Sequence, residues 1–145
     1  MRADYLRDEL GPRELADALR RSASYLTAKA AVGLIIGHET WLHRSSFLKC
    51  VDADESEGTW YASVDWAKAA RIRGPYSSSE TTILTIAASI ATDTVKVNLG
   101  EVSGLDATNT ALVMTAIAVA TGHGDMATGI KPTRGWTPPN GGGTR

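Results

Sequence analysis

Apolar positions recur at helical spacing along most of this chain. After the Gly11-Pro12 pair, Leu15, Leu19, Ala23, Leu26 and Ala30 follow one another three or four residues apart, the period of one face of an α-helix. Pro12 suits the first helical position, where its missing N–H would find no intrahelical partner anyway. The spacing predicts one long amphipathic helix whose other side, with Arg13, Glu14, Asp17, Arg20, Arg21 and Lys29, is a solvated face of mixed sign. Residues 30–37 are apolar on all sides and fit either the buried end of this helix or a buried strand after a break; periodicity does not separate the two. Residues 40–47 add a further helical turn or two, with Trp41 and Leu42 directed to the core.

The middle of the chain is less regular. Residues 52–58 hold Asp52, Asp54, Glu55 and Glu57 and read as an exposed acidic loop, or as the turn of a hairpin. In the second case the aromatic and β-branched flanks at 47–51 and 59–64 are the strands. Ser63 is placed to cap a short helix running through Asp65, Trp66, Lys68 and Arg71 to the Gly74-Pro75 stop. Ser77 and Glu80 have the spacing of a capping box, and Ile83, Ile86, Ala87 and Ile90 then share one face. Residues 95–99 alternate briefly like a strand, whereas 99–102 look like a helical turn before Gly104. Asp106 caps the final helix, and Gly122 follows its last turn. The expected fold is therefore mainly α, a compact bundle of about five helices, with one short β-hairpin around residues 47–64 as the β alternative. Residues 1–122 form the expected helical domain. Residues 123–145, rich in Gly, Pro and Thr, are expected to be a flexible tail in which Trp136 is the residue best able to dock.

Composition narrows the function classes. With 145 residues, 43% hydrophobic and 21% charged, the chain can bury a core of ordinary size without staples. A net charge of −1 provides no global field for phosphate backbones or acidic lipids. Cys50 is the single cysteine, which excludes an internal disulfide framework and a multi-thiolate zinc site. The longest apolar run falls far short of the roughly 20 residues needed to span a bilayer. The first ten residues mix Arg2, Asp4, Arg7, Asp8 and Glu9 rather than forming a secretory signal. These features predict a cytoplasmic protein with no membrane contact.

No chemical motif rises above its structural explanation. His38 and Glu39 followed by His43 are one residue longer than H-E-x-x-H, and the i, i+5 spacing turns the two imidazoles about 140° apart around a helix. The acidic segment from Asp52 lacks the glycine and the final glutamate of an EF-hand loop. Cys50 with His38, His43 or His123 is the trio to test for nucleophilic catalysis, but Cys50 sits between apolar neighbours as a small core residue would. Glycine-rich phosphate loops are missing, so no nucleotide, metal or other cofactor is expected.

Two features point to partners instead. The final helix carries Leu112, Val113, Ala116, Ile117, Val119 and Ala120 and has no charged face, which predicts contact with another protein or with a second copy of the chain. The order of helix, short turn and capped helix from Ser77 to Gly122 resembles a helix-turn-helix, and Lys68, Arg71 and Arg73 are the candidate phosphate contacts. The second helix of that unit has no basic residue for a major groove. The sequence thus favours a non-catalytic helical accessory or regulatory protein. A nucleic-acid-binding regulator is the alternative, and a small hydrolase or metal enzyme comes third.

Overall fold

The apolar run at residues 30–37 forms the centre of the fold. The computed structural model describes residues 9–129. Its helices are α1 (Pro12–Ser22), α2 (Leu26–His38), α3 (Ser45–Leu48), α4 (Trp66–Ala69), α5 (Ser78–Ala91) and α6 (Ala107–Ala120). Short 3-10 turns cover Thr40–His43, Leu99–Gly104 and Gly124–Gly129, and a hairpin pairs β1 (Val51–Ser56) with β2 (Thr59–Val64). Helix α2 buries Ala30, Ala31, Val32, Leu34 and Ile35, and α1, α5 and α6 all pack along it. A helix apolar on every side is stable only when surrounded in this way. Each Leu or Ile fully buried here contributes about 1.5–3 kcal/mol.

The long first helix of the sequence reading is in fact two. The chain leaves α1 at Ala23, where ψ is 109°, and re-enters a helix after Tyr25. The Ser22 hydroxyl accepts a hydrogen bond from the Ala62 N–H at 3.0 Å, and Arg21 donates to the Trp60 carbonyl at 2.8 Å. These bonds fasten the end of α1 to the hairpin. Leu26, which the continuous spacing would set on the buried stripe, lies half exposed.

Corrections also apply to the hairpin. Its first strand is the acidic segment itself, not residues 47–51. Register pairs Val51 with Val64, Ala53 with Ala62 and Glu55 with Trp60, and Asp52 and Asp54 alternate onto the opposite, exposed face. Glu57 and Gly58, with φ of 51° and 81°, form a two-residue loop whose twist matches the strands it joins. Ser63 pairs with Asp52 in the sheet, so the cap of α4 is Asp65, which accepts from the Lys68 N–H at 3.1 Å.

Local signals at α5 and α6 correspond to the observed ends. Ser77 accepts from the Glu80 N–H at 3.1 Å, and Asp106 accepts from the Asn109 N–H at 2.8 Å. Gly122, at φ 82°, follows α6, and the His123 N–H returns to the Ala118 carbonyl. The brief alternation at 95–99 makes no strand. Asn98 instead caps the 3-10 turn at Gly100. Of the stretch expected as a tail, residues 124–129 form the third 3-10 turn, whereas 130–145, including Trp136, lie outside the described residues.

Candidate functional site

Helices α5 and α6 both lie along α2 and meet each other over only a short stretch. The space between them opens to solvent and is bordered by the 3-10 turn Leu99–Gly104. Ile83 and Ala87 of α5 face inward and are fully buried, so the residues displaced around the helix from them, Ile86 and Ile90, line this opening. From α6, Val113 closes its floor, and Val97 and Val102 form a wall. The result is a groove of about 370 Å³ whose polar lining residues are Ser89 and Thr110, with no charged residue. That volume lies in the range of small-ligand and side-chain binding sites. Three large apolar side chains stand at its edge in water: Leu99 is 72% exposed, Ile117 51% and Met114 50%.

The six residues expected to form an interaction face on α6 divide three ways. Val113 and Ala116 are buried in the core. Leu112, Val119 and Ala120 are half-buried, Leu112 resting against Gly37 of α2. Ile117 alone of the six is exposed. Met114, one turn before Ile117, was not among them, and neither were Leu99, Ile86 and Ile90. The missing charge along α6 is the signal that finds Met114. The contributions of α5 and the 3-10 turn depend on how three helices meet, which no local pattern encodes.

The other candidates are dispersed. His38 ends α2 and His43 ends the following 3-10 turn. Among the described residues no three His, Cys, Asp or Glu side chains gather as a metal would need. Burial pushes the His38 imidazole below its ordinary value, against an opposing pull from Glu80 and Asp106. Its Nδ1 is buried with no hydrogen-bond partner among the described residues. Cys50 is buried, its Sγ 3.6 Å from the Ser46 carbonyl. Burial also pushes this thiol up, and the charged groups acting on it are Lys68, Asp65 and Arg71, with no histidine among them. A raised thiol is a poor nucleophile at neutral pH.

The basic trio is largely engaged by backbone. Lys68 Nζ donates to the Lys49 carbonyl at 3.1 Å, and Arg73 donates to the carbonyls of Ala70 and Ile72. Arg71 is exposed. Arg73 also borders a polar cleft of about 460 Å³ together with Thr81, Thr85, Lys96, Asn98 and Glu101. In the helix-turn-helix-like segment, α6 turns Met114 and Ile117 outward rather than any basic side chain.

Among the described residues, no helix is long and apolar enough to cross a membrane. No protein-family model matches the chain, and neither a curated protein nor a solved structure matches it.

Proposed function

We propose that this protein is a small, non-catalytic helical accessory or regulatory protein that acts through protein–protein contact, either with another protein or with a second copy of itself. The observation that carries the reading is the uncharged groove between α5 and α6, with Leu99, Met114 and Ile117 left in water at its edge. Apolar side chains concentrated around a concavity mark contact surfaces more often than scattered ones do. The reading includes a cytoplasmic setting, which suits a chain whose single thiol is buried and protonated.

A nucleic-acid-binding role has less support. Affinity for phosphate backbones comes from basic side chains on the contacting surface, and α6, the second helix of the helix-turn-helix-like segment, carries none.

Ile117→Glu tests the reading, because Ile117 lies at the groove and outside the core. The full chain is expected to purify as an oligomer or with a defined partner at fixed stoichiometry. The variant is expected to keep its circular dichroism spectrum and thermal transition while losing that association. A wild-type chain that is monomeric, with no stoichiometric partner and no binding of an apolar fluorescent probe, overturns it.

A further inference from the structure

We propose that the polar cleft bordered by Arg73, Lys96 and Glu101 binds a small hydroxy acid, a monocarboxylate that carries hydroxyl groups. The cleft uses Thr81 and Thr85 of α5, whereas the apolar groove uses Ile86 and Ile90. The proposal therefore stands whether or not that groove is a contact surface.

With about 460 Å³ of space, the cleft is of a size that suits a small ligand. Its apolar wall is fixed by contacts made elsewhere. Tyr76 lines it, with its hydroxyl 2.6 Å from Ser46 Oγ and its ring edge-on to Trp41 at 5.0 Å between centroids. Half-buried Ile72 and Val97 extend that wall. The polar groups divide into donors and acceptors. Arg73 Nη1 donates to the carbonyls of Ala70 and Ile72 at 3.3 and 2.9 Å, which holds the guanidinium and leaves Nε and Nη2 without a partner among the described residues. Asn98 Oδ1 accepts from the Gly100 N–H at 3.0 Å, so its amide nitrogen is left to donate. Thr81 and Thr85 give their hydroxyl hydrogens to the carbonyls of Ser77 and Thr81, and their oxygens keep lone pairs to accept.

Charge selects among ligands of this size. Arg73 and Lys96 set against Glu101 leave the cleft one positive charge in excess. Among the described residues the side chains of Lys96 and Glu101 enter no ion pair and no hydrogen bond, so these opposite charges border one cleft without neutralising each other. The Nε–Nη2 edge of Arg73 is a fork for the two oxygens of an oxyanion. A phosphate monoester brings a charge of about −1.5 to −2 at neutral pH and meets Glu101 as a second anion. A carboxylate brings a single negative charge, which equals the excess. Glu101, Thr81 and Thr85 then need donors from the rest of the ligand. Hydroxyl groups supply them, whereas an ammonium group would meet Lys96 and Arg73 as a like charge.

The test titrates the isotope-labelled full chain, at constant ionic strength, with glycerate, glycerol phosphate, serine, glycerol and chloride, and follows amide and Arg73 Nε–H signals in N–H correlation spectra. Glycerate is expected to shift the signals of Gly74, Arg73 and residues 95–101 saturably in the millimolar range. It should bind at least about threefold more tightly than glycerol phosphate or serine, and glycerol should produce no shift. Glu101→Gln should narrow the gap between glycerate and glycerol phosphate by removing the carboxylate that the phosphate meets. Arg73→Lys, which keeps the charge and loses the fork, should weaken glycerate by about three- to tenfold. Because Arg73 also holds its own turn, Lys96→Gln is the second variant; its side chain has no protein partner among the described residues, and it should weaken glycerate with the circular dichroism spectrum unchanged. No saturable shift with glycerate, or an equal shift with chloride, overturns the site. Tighter binding of glycerol phosphate overturns the monocarboxylate assignment, tighter binding of serine overturns the hydroxy acid, and glycerate binding unchanged in both Arg73→Lys and Lys96→Gln overturns the cleft as its location.

Discussion

The Arg44 guanidinium grips the Glu80 carboxylate through Nη2, at 3.2 and 3.1 Å from its two oxygens, across a sequence separation of 36 residues. The indole of Trp41 donates to the Glu80 backbone carbonyl at 2.9 Å, and Arg44 lies 5.2 Å from the centre of the Tyr76 ring. One glutamate therefore anchors the loop after α2 to the first turn of α5. It is also the residue whose N–H Ser77 caps. In a reciprocal capping box its carboxylate would turn back to the Ser77 N–H; here it is taken up by Arg44.

Glu80→Ala should destabilise the fold by about 1–2 kcal/mol in a urea titration. A charge-assisted hydrogen bond contributes about 1.5–3 kcal/mol, and partial exposure of the Arg44 side chain, 41%, reduces that by solvent screening. Arg44 Nε is already buried without a partner among the described residues, so removing the carboxylate leaves a less satisfied cation. A double-mutant cycle with Arg44→Ala should give a coupling of about 1 kcal/mol. Additive single effects would show the pair to be incidental.

Ser77→Ala and Asp106→Ala should each cost about 0.5–2 kcal/mol, the usual effect of deleting an N-cap acceptor. Both side chains accept the hydrogen bond a cap requires, at 3.1 and 2.8 Å. Unchanged denaturation midpoints would show that the helix starts draw nothing from these bonds.

How much of this was legible in the sequence depends on the range of the forces involved. The caps of α5 and α6 and the Gly122 stop follow from chemistry within four residues, and they stood out. The break between α1 and α2 did not, because the spacing of Leu15, Leu19, Ala23 and Leu26 continues across it. At the break the Ser22 hydroxyl accepts from the N–H of Ala62, 40 residues away, a contact no local pattern encodes. The β1 strand was partly visible: Val51 and Ala53 alternate with Asp52 and Asp54, but its acidity suggested a loop. On a two-stranded ribbon with one face in water, carboxylates on the outer face cost nothing. The groove was least legible, since Ile86, Val102 and Met114 come together only through the way α5 and α6 diverge on α2.

Gly33→Ala should stabilise the protein by about 0.5–1 kcal/mol. Gly33 lies inside α2, and a methyl group added there meets no atom within 4 Å, so the helix propensity gain of Ala over Gly is unopposed. Gly37 provides the contrast. A Cβ at that position comes 2.7 Å from Leu112 Cδ2, so Gly37→Ala must shift a half-buried side chain between α2 and α6. It should stabilise less than Gly33→Ala, or destabilise. Thermal melts of the two variants in parallel check the ordering.

Acid should weaken the fold through His38. Burial lowers its folded pKa below the ordinary 6.5, with Glu80 and Asp106 opposing that shift only in part. Between the lowered folded value and 6.5 the unfolded chain therefore binds more protons than the folded chain. By linkage, stability is full above about pH 6.5 and falls as pH drops from there through the folded value. The structural cause is the buried Nδ1, which has no acceptor among the described residues waiting for a proton. Urea midpoints measured from pH 7.5 to 5 should decline in the wild type and decline less in His38→Gln, which keeps a polar side chain but cannot gain charge in this range. The wild type and His38→Gln share every other titrating group, so the informative quantity is the difference between the two chains rather than either slope alone. Parallel curves would mean that the imidazole protonates equally well folded and unfolded, and that solvent or movement of the α2 end supplies the missing acceptor.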